Sequence, residues 1–117
     1  MPILLVSGPV IVEDDKVLLA QHGDTNFWKF CGGRVENTDA TLKDACIREI
    51  KEEMGIDIEF APKTPYFFYT QKDTPQGPLD VILVHYLAKR IGEIKPGPDI
   101  REWIWLPIEE LDKYDLA

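Results

Sequence analysis

Arg48, Glu49, Glu52 and Glu53 lie within six residues, fifteen positions after a glycine pair, Gly32-Gly33. On a helix, at about 100° per residue, the three glutamates share one wedge roughly 100° wide, with Arg48 at its edge. As a purely structural device this is poor. Glu49 and Glu53 are like charges at i,i+4, a pairing that costs a few tenths of a kcal/mol. Carboxylates drawn to about 6 Å repel by about 3 kcal/mol per pair at an effective dielectric of roughly 20. Oxygen ligands clustered beside a glycine turn are what a hard divalent cation such as Mg²⁺ takes. A solvated acidic helix face is the alternative on the glutamates alone.

The surrounding residues weigh against that alternative. Arg48-Glu49-Ile50-Lys51-Glu52-Glu53-Met54-Gly55-Ile56 closes a stretch that begins at Gly32. It resembles the Nudix box, written G-x5-E-x7-R-E-U-x-E-E-x-G-U with U apolar, and its second half matches at every specified position. In the first half, counting from Gly33, the first acidic position holds Asp39, and eight residues rather than seven separate it from Arg48. The turn therefore carries one extra residue. The flank Trp28-Lys29-Phe30-Cys31-Gly32-Gly33-Arg34-Val35-Glu36 resembles the family's usual entry, with Cys31 in place of proline. The ending REWIWLPIEEL is similar to the family's usual closing segment.

The resemblance implies the Nudix fold, an α/β (α+β) domain described as an α/β/α sandwich, with a mixed sheet and the box as loop-helix-loop. It implies hydrolysis of a nucleoside diphosphate linked to another moiety. Candidate substrates are ADP-ribose, a dinucleoside polyphosphate, a nucleotide sugar or a nucleoside triphosphate. Glu49, Glu52, Glu53 and Gly33 match positions that hold Mg²⁺, with Mn²⁺ as a substitute, and Arg48 matches the residue that orients those carboxylates. The family's bracing acid pairs with that arginine, a part open to Asp39 here. The general base is either a box glutamate or a later acid. Glu93, Asp99 and Glu102 are available, with Asp99 and Glu102 favoured as auxiliary acids. Arg34 corresponds to a usually basic position that contacts phosphate. A non-catalytic module that senses nucleotides, and a non-hydrolase such as an isomerase, are the competing readings. The intact carboxylate set disfavours the sensor.

The elements that must position these residues follow from pattern. Leu42, Cys46, Ile50 and Met54 form an apolar stripe on a helix over Leu42–Met54. Asn37, Thr38, Asp39 and Thr41 offer N-caps, and Gly55 suits the C-terminal cap. Ile3–Val12 reads as a strand with Pro9 at an edge or bulge, Glu13–Lys16 as a hairpin turn and Val17–Gln21 as the return strand. Residues 22–26 read as a polar loop leading to Phe27 and Trp28, either of which could stack on a nucleobase; Phe30 reads as core. Ile56–Phe60 alternates as a strand, Tyr66–Thr70 starts another, and Gln71–Leu79 reads as a loop. Val81–Ala88 is nearly continuous apolar, as in a strand buried on both faces, with His85 a sheet residue rather than a catalyst. Trp103–Leu106 is the last strand, and Pro107 opens a short helix through Leu111. A further C-terminal helix, usual in relatives, has no counterpart before Ala117.

The chain has 117 residues, 44% of them hydrophobic, consistent with one domain over 1–117. Its formal charge of −8 argues against a duplex nucleic-acid binder, which needs a basic face. An acidic protein still takes anionic nucleotides when metal ions bridge the two. The N-terminal apolar run lacks a basic start and is broken at Ser7-Gly8-Pro9, so neither a signal peptide nor a membrane span is expected. Two cysteines, Cys31 and Cys46, lack metal-type spacing and suggest reduced thiols in a cytoplasmic protein. A monomer or a homodimer is expected from family habit.

Overall fold

The computed structural model describes residues 3–23, 27–62 and 65–113. Strand β1 (Ile3–Glu13) turns at Asp14-Asp15 into β2 (Lys16–His22). Both aspartates take positive φ, 50° and 62°, the backbone hand that a two-residue hairpin turn requires. Two short strands follow, β3 (Lys29–Phe30) and β4 (Gly33–Arg34), and then the helix α1 (Leu42–Met54). Strands β5 (Asp57–Phe60), β6 (Tyr66–Thr74), β7 (Gly77–Ile91) and β8 (Ile100–Pro107) complete the sheet, and a 3-10 helix covers Ile108–Lys113.

The sheet is mixed. β1 and β7 run parallel from Ile3 opposite Asp80 to Ile11 opposite Ala88, and every other pairing is antiparallel. β7 is long enough to carry β6 along its first half and β5 along its last four residues. On its other edge β1 pairs with β4 only at Val6 and Ser7, and with β2 only at Val12 and Glu13. Pro9, which has no N–H to offer, falls in the gap between them. Gly8 lies in the same gap because the Cys31–Gly32 backbone crosses it: a Cβ on Gly8 would come 2.0 Å from the Cys31 carbonyl oxygen. That crossing delivers the glycine turn to the helix face.

Helix α1 forms where its pattern places it. The Thr41 hydroxyl accepts the Asp44 N–H at 3.0 Å, and Gly55 ends the helix in the left-handed region. Its buried side, Ala45, Cys46, Ile50 and Met54, packs on Ile11, Leu18, Ala20 and Ile56, and on Val84 and Tyr86 of β7. The opposite face of the sheet carries a second cluster, Val17, Leu19 and Leu106, with Trp28, Phe30 and Ile104 against it.

The mixed sheet with one α-helix among the described residues is the expected α+β arrangement. Three expectations change. Gln71–Leu79 is a hairpin, not a loop: the Thr74 hydroxyl donates to the Gly77 carbonyl at 2.6 Å, confining the break to two residues. Pro75 and Gly77 thus mark a tight turn. Val81–Ala88 is not buried on both faces: Val84 and Tyr86 lie under α1, but Leu83, His85 and Leu87 line an open cleft. The helix after the last strand is 3-10 in form and starts at Ile108, with Pro107 closing β8. Residues 24–26 of the expected polar loop, and Ala117, lie outside the described residues.

Candidate active site

The helix wedge meets the glycine turn. The Gly32 N–H donates to Glu53 Oε1 at 2.9 Å, and His22 Nε2 lies 2.7 Å from Glu53 Oε2. Glu49 occupies the space above Gly33 that a side chain would fill: a Cβ there would stand 2.5 Å from Glu49 Oε2. Glu53 and Glu49 are largely buried, with 10% and 13% of their side chains exposed, whereas Glu52 is 60% exposed.

Arg48 organises the other flank. Its guanidinium makes a two-pronged pair with Asp39, Nε to Oδ1 at 2.9 Å and Nη2 to Oδ2 at 3.0 Å. It also donates to Glu49 Oε1 at 2.9 Å, to Glu52 at 3.4 Å and to the Arg34 carbonyl at 3.1 Å. Asp39 additionally accepts the Glu36 N–H at 2.8 Å. The extra residue in the turn is therefore accommodated with the aspartate facing the arginine.

The electrostatics follow from these contacts. The Arg48 hydrogen bonds hold the Asp39 carboxyl below the usual carboxylate range. Asp39 in turn raises the pKa of Arg48, which stays charged. Burial pushes the Glu49 carboxyl up, Arg48 pulls it back, and the neighbouring Glu53 and Glu52 push it up again.

The donors are of the hard oxygen type that a divalent cation takes: Glu49 and Glu53 meet the glycine turn, and Glu52 lies beside Arg48 on the same helix. Cys31 is the nearest thiol by sequence, and burial together with the Glu53 charge keeps it protonated. Among the described residues no three acidic, histidine or cysteine side chains already stand together as a cage. Arg48 draws Glu49 and Glu52 to one side, while His22 and Gly32 hold Glu53 on the other.

The remaining sequence candidates scatter. Phe27 is exposed, whereas Trp28 packs into the cluster on the far face of the sheet. Arg34 is exposed beside the box and gives its carbonyl to Arg48. Asp99 lies next to His22, its carbonyl accepting the Gly23 N–H at 3.0 Å. Glu102 pairs with Gln21 in the ladder. Its neighbour Trp103 packs on the helix side, so alternation turns Glu102 to the face away from Glu53.

Two features escaped the sequence reading. His22 reads as a loop residue, yet it ends β2 and reaches Glu53. A cleft of about 440 Å³ opens on the face away from α1, lined by Val10, Phe30, Tyr66, Phe68, Leu83 and His85. Inside it His85 stands edge-on to Phe30 and Phe68, with ring centroids 5.3 and 5.4 Å away, and burial lowers its pKa. Period-two alternation of β6 against β7 is the signal for this cleft, once Gln71–Leu79 is read as strand and turn.

Fold and site together define a Nudix protein, and sequence comparison agrees: the NUDIX domain model matches residues 3–117, so the chain belongs to the Nudix hydrolase family. It is 30% identical over 120 residues to the nucleoside triphosphatase NudI of Escherichia coli O139:H28 (strain E24377A / ETEC), covering 92% of this chain and 84% of that protein. It is 38% identical over 61 residues to the CTP pyrophosphohydrolase of Escherichia coli (strain K12). That match spans 49% of this chain and less than half, 44%, of the relative. The solution structure of the E. coli ORF135 protein superposes with a TM-score of 0.75 at 25% identity, covering all of this chain and 82% of the other. No helix of the described residues is long and apolar enough to cross a membrane.

Proposed function

We propose that this protein is a Mg²⁺-dependent pyrophosphohydrolase that cleaves a nucleoside triphosphate to the monophosphate and pyrophosphate. The observation that carries this reading is the convergence of Glu49 and Glu53 on the Gly32-Gly33 turn, with Arg48 fixed beside them by Asp39. The triphosphate is preferred over ADP-ribose, dinucleoside polyphosphates and nucleotide sugars because a sequence relative that aligns over most of both chains, NudI, is a nucleoside triphosphatase. A sensing module that does not turn over its ligand fits less well, since all three box carboxylates are present and oriented.

Glu49, Glu52, Glu53 and the Gly33 carbonyl are the groups that would hold Mg²⁺, which when bound supplies charge neutralisation on the phosphate oxygens. Arg48 orients Glu49 and Glu52 while its own position is set by Asp39. The box carboxylates are also the groups that would accept the proton of the attacking water. Arg34, exposed at the edge of the turn, supplies a cation for a terminal phosphate. The aromatic cleft on the other sheet face, walled by Phe30, Tyr66 and Phe68, is a stacking surface for the nucleobase. Cys31 and Cys46, both buried and free, fit a reducing cytoplasmic setting.

The test is a substrate panel with and without Mg²⁺ or Mn²⁺: nucleoside triphosphates, ADP-ribose, diadenosine tetraphosphate and nucleotide sugars, with products separated by chromatography. Wild type should release nucleoside monophosphate and pyrophosphate from a triphosphate only with metal. Glu49→Gln and Glu53→Gln should lose about 10²–10⁴-fold in kcat while remaining folded. Metal-independent cleavage, or full activity in either variant, overturns the reading.

A further inference from the structure

His22 lies outside the box, yet it touches the most buried of the box carboxylates. It ends β2 at a ladder irregularity: Gln21 pairs with Glu102, but His22 pairs with Ile100, so Arg101 is skipped. The Arg101 guanidinium donates to Gln21 Oε1 at 3.1 Å across this step. Such a bulge re-aims the side chains beside it. Here it lies at the point where the His22 ring, 20% exposed, reaches under the last turn of α1 to Glu53 Oε2.

Glu53 is thereby held from four directions. Its backbone belongs to α1, and its carbonyl accepts the Gly97 N–H at 2.8 Å. Its side chain takes the Gly32 N–H on one oxygen and His22 on the other. Each carboxylate oxygen has two lone pairs, so one donor apiece leaves a second free for a ligand. A carboxylate fixed through both oxygens but not saturated is oriented rather than blocked.

We propose that His22 is the positioning residue for Glu53: its Nε2 fixes the orientation in which Glu53 serves as a metal ligand. The assignment rests on the metal-dependent reading above and adds to it a residue that the box does not contain. His22 acts through Glu53 and contacts neither substrate nor the reacting phosphorus. Losing such a partner of a ligating carboxylate weakens metal binding by about 10–100-fold.

The test uses two polar replacements of different reach. In His22→Gln the amide nitrogen can take the place of Nε2. In His22→Asn the amide ends where Nδ1 stood, short of Glu53. Mn²⁺ is titrated into the full chain without nucleotide, free Mn²⁺ is read by electron paramagnetic resonance, and Tm is measured alongside. Wild type and His22→Gln should bind Mn²⁺ alike. His22→Asn should bind about 10–100-fold more weakly at a similar Tm. Unchanged or tighter Mn²⁺ binding in His22→Asn overturns the proposal, because His22 is then a bystander or a competitor for Oε2. Equal losses in both variants also overturn it, since reach from the histidine position then makes no difference. Should His22→Asn unfold, His22→Ser, which also ends short of Glu53, takes its place: a loss of about 10–100-fold beside an unchanged His22→Gln supports the role, and unchanged binding refutes it. A wild type that holds no Mn²⁺ overturns the metal reading itself, an outcome distinct from a wild-type site that ignores His22.

Discussion

Asp39 meets Arg48 with both carboxylate oxygens, at 2.9 and 3.0 Å, across nine residues of sequence. The planar fork of arginine matches a carboxylate in this geometry and fixes both partners. Arg48 in turn holds Glu49, so the geometry of the carboxylate cluster depends on an aspartate one residue out of step with the family pattern.

Asp39→Asn should therefore lower kcat/KM by about 10–100-fold. Its effect on stability should depend on pH with a defined sign. Arg48 depresses the folded-state pKa of Asp39 below its ordinary 3.8, so the stabilisation is complete above that value and disappears as pH falls through the lower one. The Tm difference between wild type and Asp39→Asn should be constant from about pH 6 to 8 and shrink below about pH 4. A difference that grows on acidification would contradict the pairing.

Gly33→Ala tests the close approach of Glu49. A Cβ 2.5 Å from Oε2 must displace that carboxylate, but the displaced group is the far end of a flexible side chain. Metal-dependent turnover should fall at least tenfold, on the order of the loss for a displaced ligand. Tm should change little, which thermal unfolding beside the activity assay would show.

Gly8→Ala behaves differently, because its Cβ would meet backbone, the Cys31 carbonyl oxygen at 2.0 Å. Strand β1 and the crossing segment must separate. A loss of about 1–3 kcal/mol in urea unfolding is expected, with weakened metal binding as the Gly32 N–H retreats from Glu53.

The two thiols should be inert in the folded protein. Burial pushes Cys46 up to about 12, and pushes Cys31 higher still with the help of the Glu53 charge. At about pH 8 a group of that pKa is thiolate in roughly one molecule in ten thousand. Iodoacetamide should label neither cysteine natively and both in guanidinium. Rapid native labelling of Cys31 would show that the turn opens.

Phe68→Ala should raise KM for the nucleotide about tenfold and leave kcat near wild type, the signature of a lost stacking surface. Phe68 is 54% exposed, so its removal leaves no cavity in the core.

The helix and its wedge were legible in the sequence because a 3.6-residue apolar period and terminal caps are local signals. The glycine turn was legible because its residues are adjacent to one another. What escaped depends on pairings between distant segments. Whether His22 belongs to a loop or to the end of a strand is decided by β8, some eighty residues later. The cleft could not be seen while Pro75 and Pro78 suggested a loop, since its walls alternate along β6 and β7. Glu102 was a fair candidate by position along the chain, but strand alternation turned it to the other face.

The parallel ladder between β1 and β7 carries a consequence for how the site comes into being. Each β1 residue from Ile3 to Ile11 waits for a partner 77 positions later in the chain, as Ile3 does for Asp80. Contacts of such separation must overcome loop-closure entropy before they return any stability, and proteins dominated by them fold in milliseconds to seconds. A 13-residue helix is marginal alone in water, so the box cannot hold its shape in advance. During synthesis the carboxylates of α1 therefore emerge long before the scaffold that aligns them. A nascent chain stopped short of residue 80 should carry the whole signature and bind no metal, acquiring that ability only when β7 docks beside β1.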